Sequence, residues 1–516
     1  MKRGSMDSLA QGMEKAVVIL SLVLLAVFLL GLVFTAYTQT SELNMNDVSG
    51  EHIEFRDDNF FLNGILTAIC LCALYLFYRR CDAIPLRRME RLLLVFTFVF
   101  GAAFIASTRL EAPIYSDSYL VTYAAQRAAV GDFSQLADAY FRRFPFQLGY
   151  VLYSELFFRA ARLALGTSPE GYRWLALQGV NLLWLLFAYH ALVEISGLLF
   201  HRPRVQKLTM LLLFFCLQPL LSVTFLYGNT PAFACGTAAL WMFLLFLESE
   251  RTRYALLTAL FLSLAVTLKL NLLIFCVAVG GVWTIELFKK RSLRSLLCLL
   301  LAAVCVLTLP KLPQRIYEKR TGFAFGEGIP MIAWMAMGFD QGYAAPGWYR
   351  EYHTVSVFLE SGEDAAATAA EAKEYLAGRL QEFRNDGAGC LRFFRQKFDS
   401  QWNEPTYESM WVNQVQLSFS EKGRFYDFLC GSGARRTAAF LNQVQQLVLL
   451  GALAGMPGLW RRKRIQLCLL PVIVLGGVLY HLLFEAKSQY ALPYFVLLVP
   501  LAAWGLSRLF HRIEHR

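Results

Sequence analysis

Apolar residues fall in long uninterrupted runs along this chain, and charged residues gather in the stretches between them. The clearest charge-free runs are Ala16 to Ser41, Asn59 to Tyr78, Leu92 to Thr108, Trp174 to Val193, Leu208 to Leu247, Leu296 to Pro310, Thr437 to Trp460, Ile465 to Phe484 and Ser488 to Ser507. A bilayer core of about 30 Å needs roughly 20 apolar residues wound as a helix, so these runs predict membrane-spanning helices. The run from Leu208 to Leu247 is long enough for two. Its middle, Tyr227-Gly228-Asn229-Thr230-Pro231, has turn chemistry, because Gly and Asn tolerate positive φ and Pro starts or stops helices. That pattern predicts a helical hairpin.

Basic residues sit between the runs: Arg79, Arg80, Arg87, Arg88 and Arg91; Arg202, Arg204 and Lys207; Lys289, Lys290, Arg291 and Arg294; Arg461, Arg462, Lys463 and Arg464. The positive-inside rule makes these loops cytoplasmic. The stretch Glu42 to Asp58, with six acids against Arg56, suits the outside. No small-residue cleavage site follows the first apolar run, which therefore reads as a retained span.

Counting crossings from an inside N-terminus places Arg109 to Arg173 outside, yet the loop at Arg202 to Lys207 must be inside. Only one of the two apolar candidates between them can then cross. Leu148 to Leu165 carries Glu155, Arg159 and Arg162 on one helical stripe, which predicts a helix lying at the outer interface and leaves Trp174 to Phe200 as the crossing. Tyr254 to Leu268 offers only fifteen charge-free residues, about 22 Å of helix, and is followed at once by Lys269. Lys269 is thereby placed near the outer surface.

The expected fold class is an all-α polytopic membrane protein of about twelve spans, with both termini cytoplasmic. Residues 1–311 form an N-terminal transmembrane region with the acidic outer loop 109–173. Residues 312–436 form a large, mainly helical outer loop or cap, and residues 437–516 form the C-terminal spans.

Composition agrees: 57% of the 516 residues are hydrophobic and 17% charged, with a mean hydropathy of +0.44. The net charge of +11 would suggest nucleic acid in a soluble protein, but its confinement to inter-span loops excludes that partner here. Eleven cysteines without CxxC spacing argue against a zinc site or a disulfide scaffold, with the pairing of Cys390 and Cys430 left open. Seven histidines form no HExxH, and neither GxGxxG nor a P-loop is present.

The outer loop after the third span reads Arg109-Leu110-Glu111-Ala112-Pro113-Ile114-Tyr115-Ser116-Asp117-Ser118-Tyr119, and continues to Arg142-Arg143-Phe144-Pro145-Phe146-Gln147-Leu148-Gly149-Tyr150. A carboxylate beside the membrane, flanked by hydroxyls and aromatics, has the composition of a general base at a sugar-binding surface. Further segments fall on the same predicted face: Tyr227 to Pro231, Leu268-Lys269-Leu270-Asn271, and Phe484-Glu485-Ala486-Lys487-Ser488-Gln489-Tyr490. The cap contributes Trp334, Pro346-Gly347-Trp348-Tyr349-Arg350 and Gln401-Trp402-Asn403-Glu404-Pro405, whose aromatics suit either sugar faces or packing.

These segments and the span pattern resemble the GT-C superfamily of integral-membrane glycosyltransferases, which includes the protein O-mannosyltransferases and the lipid A aminoarabinose transferases. The resemblance implies a polyprenyl-phosphate sugar as donor, a cell-envelope glycan, lipid or protein as acceptor, and an inverting displacement with Asp117 as base. It implies donor-phosphate contacts from Lys269 and Lys487, with Arg142, Arg143 or Arg315 as weaker candidates. Substrate contacts would come from Tyr115, Tyr119, Gln147, Tyr150, Asn229, Asn271, Glu485, Tyr490, Trp348 and Trp402. The chain departs from the pattern in three places. Its acidic loop follows the third span where the superfamily usually has it after the first, Asn229 stands where Asp is common, and Gln489 stands where Arg is common. With that acid missing, no metal or other cofactor is expected at this site. Two rival readings keep the same outline: a lipid-linked glycan polymerase or ligase, for which His353 would be the only loop histidine, and a non-enzymatic flippase or transporter, which internal repeats would mark.

Overall fold

The computed structural model describes residues 3–44, 51–109, 116–165, 170–416, 421–462 and 464–515. The described residues are mostly helical, and among them ten helices are long and apolar enough to cross a membrane. The count reaches eleven if a bent pair is taken as one span, and Thr252–Leu268 is a further, shorter apolar helix. This is a multi-pass membrane protein.

In chain order, α1 (Arg3–Thr38), α2 (Phe60–Arg80) and α3 (Leu86–Thr108) open the membrane region. Beyond α3 come α4 (Ser116–Ala129), α5 (Ala139–Arg143) and α6 (Leu148–Leu165). The central set is α7 (Glu170–Phe200), α8 (Pro203–Phe215), α9 (Gln218–Leu221), α10 (Asn229–Ser249), α11 (Thr252–Leu268), α12 (Leu273–Lys290) and α13 (Leu293–Thr308). The segment between α13 and α21, termed the cap, holds α14 (Leu312–Thr321), α15 (Met331–Gly338), α16 (Val357–Glu360), α17 (Ala365–Asn385), α18 (Gly387–Trp402), α19 (Ser409–Gln416) and α20 (Arg424–Cys430). Then α21 (Ala434–Arg462), α22 (Leu469–Leu483) and α23 (Ser488–Glu514) close the bundle.

Helix ends follow local chemistry. Asn59, Ser292, Asp364 and Asp386 cap α2, α13, α17 and α18 by accepting from backbone N–H groups of the first turn. The expected hairpin between Leu208 and Leu247 is present, but its first arm is bent by 46° between α8 and α9.

The structure adds to these expectations at four places. First, the acidic stretch before α2 holds a strand pair: β1 (Gln39–Leu43) pairs antiparallel with β2 (Ile53–Asp57), Gln39 opposite Asp57 and Leu43 opposite Ile53. Second, the helical path does not stop at residue 311. Pro310 and Pro313 stand in the first turns of the segments they begin, where a missing N–H costs nothing, so the helical stretch runs from Leu293 to Thr321. Third, α6 is a helix of the expected length, and Glu155 pairs with Arg159 at 2.8 Å, but Glu155 is buried, 1% exposed. Arg320 of α14 reaches it at 2.7 Å and Tyr317 at 2.5 Å, so the stripe docks the cap. Fourth, Cys390 and Cys430, whose pairing the sequence leaves open, are both free thiols.

α21 and α23 pack backbone to backbone. A Cβ on Gly505 would stand 2.0 Å from the Gly451 carbonyl oxygen and 2.6 Å from the Gly455 nitrogen. Small residues four apart let two backbones approach where side chains would hold them off. Gly505→Val is expected to lower stability by at least about 2 kcal/mol, read as an earlier thermal unfolding transition of the detergent-purified protein.

Candidate functional site

Four chain breaks at one end of the bundle meet: the start of α4, the turn before α10, the turn after α11 and the break between α22 and α23. Glycines allow the approach. Gly228, at φ 85°, precedes α10, and a Cβ there would lie 2.6 Å from the Leu268 carbonyl oxygen. A Cβ on Gly149 would lie 1.9 Å from the Thr267 carbonyl oxygen. These contacts press the Tyr227 turn and the start of α6 onto the end of α11, where Lys269 is extended between two helical segments.

Asp117, in the first turn of α4, accepts a hydrogen bond from the Tyr227 hydroxyl at 2.7 Å. Gln147 donates to the same hydroxyl, and the Tyr140 hydroxyl lies 3.4 Å from it. Burial, followed by the Asp117 charge, raises the Tyr227 phenol well above its ordinary range, so it remains a donor to the carboxylate. Lys269 Nζ lies over the Tyr227 ring, 4.0 Å from its centroid, and 5.6 Å from that of Tyr490. Such a cation–π contact stabilises an ammonium without neutralising it. Burial lowers Lys269 to about 8, opposed by Asp117, Glu485 and Glu408.

The break before α23 supplies the rest. Tyr490 donates to Glu485 at 3.2 Å, and burial pushes Glu485 up to about 7 against the pull of Lys487. Lys487 forms an ion pair with Glu51, the two side chains being 14% and 18% exposed. Burial works to depress Lys487, but Glu51, Glu408 and Glu485 together raise it. Gln489 donates to Glu408 at 2.9 Å and accepts from Asn229 at 3.1 Å. Ser488 lies between Glu404 and Glu408, at 2.9 and 3.2 Å from their carboxylates. Burial raises both acids.

Asn229, Glu408, Ser409 and Gln489 form the polar side of a cavity with about 40 Å³ of free space, whose other walls include Leu185, Phe225, Phe233 and Leu492. The cap closes on this end through backbone and side chain alike. Ala486 N donates to the Gly347 carbonyl at 2.7 Å, and buried Lys397 donates to the carbonyls of Gly338 and Phe484.

Of the residues singled out in the sequence, the structure brings together Asp117, Gln147, Asn229, Lys269, Glu485, Lys487 and Tyr490. Tyr150 is fully buried against Gly228 and acts as a strut beneath the turn. Asn271 is half-buried in the turn after Lys269. Tyr119 is exposed and stacks on Tyr123 at 5.3 Å. Tyr115 lies outside the described residues. Arg142 is held by Glu363 at 2.9 Å, Arg143 donates to the Ala139 carbonyl, and Arg315 is exposed on α14.

The two cap tryptophans are core residues. Trp348, 0% exposed, donates to Ser400 at 2.9 Å, and Trp402, 2% exposed, packs on Phe398 and Tyr494. The neighbouring Tyr349 is the exposed aromatic of that motif, within electrostatic reach of Asp117 and Glu485.

Sequence reasoning did not single out Tyr140, Tyr227, Glu51, Glu404 or Glu408. Tyr227 stood inside a quoted turn, and its ring is what carries Lys269. No protein-family model matches the chain, and no curated protein or solved structure is significantly similar to it.

Proposed function

We propose that this protein is an inverting membrane glycosyltransferase that moves a sugar from a polyprenyl-phosphate carrier to an extracytoplasmic glycan, lipid or protein acceptor. One observation carries the reading: a carboxylate and an unneutralised ammonium share the Tyr227 side chain at one end of a membrane helix bundle. Asp117 meets the hydroxyl and Lys269 the ring face. Among the described residues Lys269 makes no ion pair, whereas Lys487 and Arg142 already have carboxylate partners.

The chemistry follows from that pairing. The acceptor hydroxyl attacks the anomeric carbon, its proton passes to Asp117, and the bond from carbon to phosphate oxygen breaks with both electrons leaving on the lipid phosphate. Lys269 offsets the negative charge that grows on that leaving group. Tyr227, donating to Asp117, holds the carboxylate in place. The apolar walls around the Asn229–Glu408 cavity suit the first carbons of a lipid, and Tyr349 suits a sugar face. No metal or cofactor is assigned to this site.

Release of polyprenyl phosphate from a panel of polyprenyl-phosphate sugars tests the donor class. Turnover only with polyprenyl-diphosphate donors would favour the polymerase or ligase reading. The pH dependence has a stated sign. Lys269, lowered to about 8, is charged below that pH and neutral above it, and Glu485, raised to about 7, gains its negative charge over the same direction. Both changes weaken anion binding as pH rises, so donor affinity is expected to fall toward tenfold per unit above about pH 8. Lys269→Arg, which stays charged, should flatten that limb of the KM profile. An unchanged limb would remove Lys269 from the phosphate.

A further inference from the structure

A second group of chemically active side chains lies far from Asp117, at the other end of α3. Glu90 sits one turn into that helix, eighteen residues before Thr108, or about 27 Å along the axis. On α7, His190 and Glu194 stand four residues apart and so share one face. His190 Nδ1 is 2.5 Å from Glu90 Oε1. One ligand atom from each of the three residues lies within 4.8 Å of the other two. Trp241 of α10 closes the group, its ring edge-on to the imidazole with centroids 5.1 Å apart.

The charge balance sets this cluster apart from an ordinary ion pair. Two carboxylates converge on one imidazole in the membrane region, and among the described residues no Lys or Arg pairs with either acid. Glu194 makes no side-chain hydrogen bond among them. A protonated His190 would still leave one negative charge over. A divalent ion would neutralise the cluster. Nitrogen with two carboxylate oxygens is a donor set for Zn²⁺ or Mn²⁺, and ligand bonds of about 2.0–2.2 Å would part His190 Nδ1 from Glu90 Oε1 slightly as Glu194 closes in.

We propose that Glu90, His190 and Glu194 form a metal site that binds a divalent transition ion and staples α3 to α7. It stands apart from the transferase reading and is independent of it.

The test uses the full chain purified in detergent, stripped with a chelator, dialysed and titrated with Zn²⁺. Metal content is read by mass spectrometry, and Co²⁺ substitution reports ligation through its visible absorption. Glu194→Gln is the deciding variant, because among the described residues Glu194 makes no side-chain hydrogen bond or ion pair and the isosteric amide should leave packing intact. Wild type is expected to retain one equivalent more Zn²⁺ than Glu194→Gln, with affinity in the variant at least about tenfold weaker. Zn²⁺ should also raise the thermal transition of wild type but not of the variant. His190→Ala should lose the same equivalent and the Co²⁺ band. Equal metal content and equal thermal response in wild type and Glu194→Gln would overturn the proposal and leave His190–Glu90 as a plain ion pair.

Discussion

Replacing Asp117 by Asn is expected to reduce sugar transfer at least about a hundredfold while leaving the unfolding transition nearly unmoved. General-base catalysis contributes about 10²–10⁴ to rate, and the amide cannot accept the acceptor's proton at neutral pH. The substitution keeps shape, and the side-chain carbonyl of the introduced asparagine can still accept from the Tyr227 hydroxyl that now donates to Asp117 at 2.7 Å. The loss should therefore appear in kcat, with donor KM little changed. Expression, thermal unfolding and steady-state kinetics on the same preparation check it. A variant that unfolds early but keeps its turnover per folded molecule would make Asp117 a structural residue of α4.

Lys487→Met is expected to act through stability. Its ammonium pairs with Glu51 while Glu408 and Glu485 stand near, and both members of the pair are largely buried. Removing one partner of a buried pair leaves an uncompensated charge, at a cost of about 3–5 kcal/mol. The thermal transition should fall by several degrees, and adding Glu51→Gln should restore part of it. Kinetics distinguish this from the role that resemblance suggested. A stable Lys487→Met protein with a raised donor KM would put Lys487 on the phosphate instead.

Much of the membrane region was legible in the sequence because lipid imposes a simple rule: the long charge-free runs became helix, apart from the breaks before α9 and α10 and the start of β1. The chain breaks were legible too. Gly228, Lys269 and the Glu485–Tyr490 segment carry turn or charge signals that no continuous span would hold, and the fold gathers them. What escaped depends on distance along the chain. Glu51 appeared as one of several acids marking an outer loop, and only the pairing of β1 with β2 and the closure of the cap bring it to Lys487. Glu408 sits in a stretch without hydropathy contrast and acquires meaning from Gln489. Trp348 was conspicuous by residue type, but large indoles are efficient core fillers, and the exposed ring is Tyr349. Glu155 has the spacing of an interfacial stripe, and nothing local could show that Tyr317 and Arg320, at separations of 162 and 165 residues, cover it.

Sugar transfer from a lipid phosphate can be followed in liposomes that hold the purified protein, labelled polyprenyl-phosphate sugars and cell-derived acceptors. Labelled product of inverted anomeric configuration is expected, with release of polyprenyl phosphate and loss of both in Asp117→Asn. Movement of the intact labelled lipid between leaflets, with no bond to the sugar broken under any donor, would contradict the transferase reading.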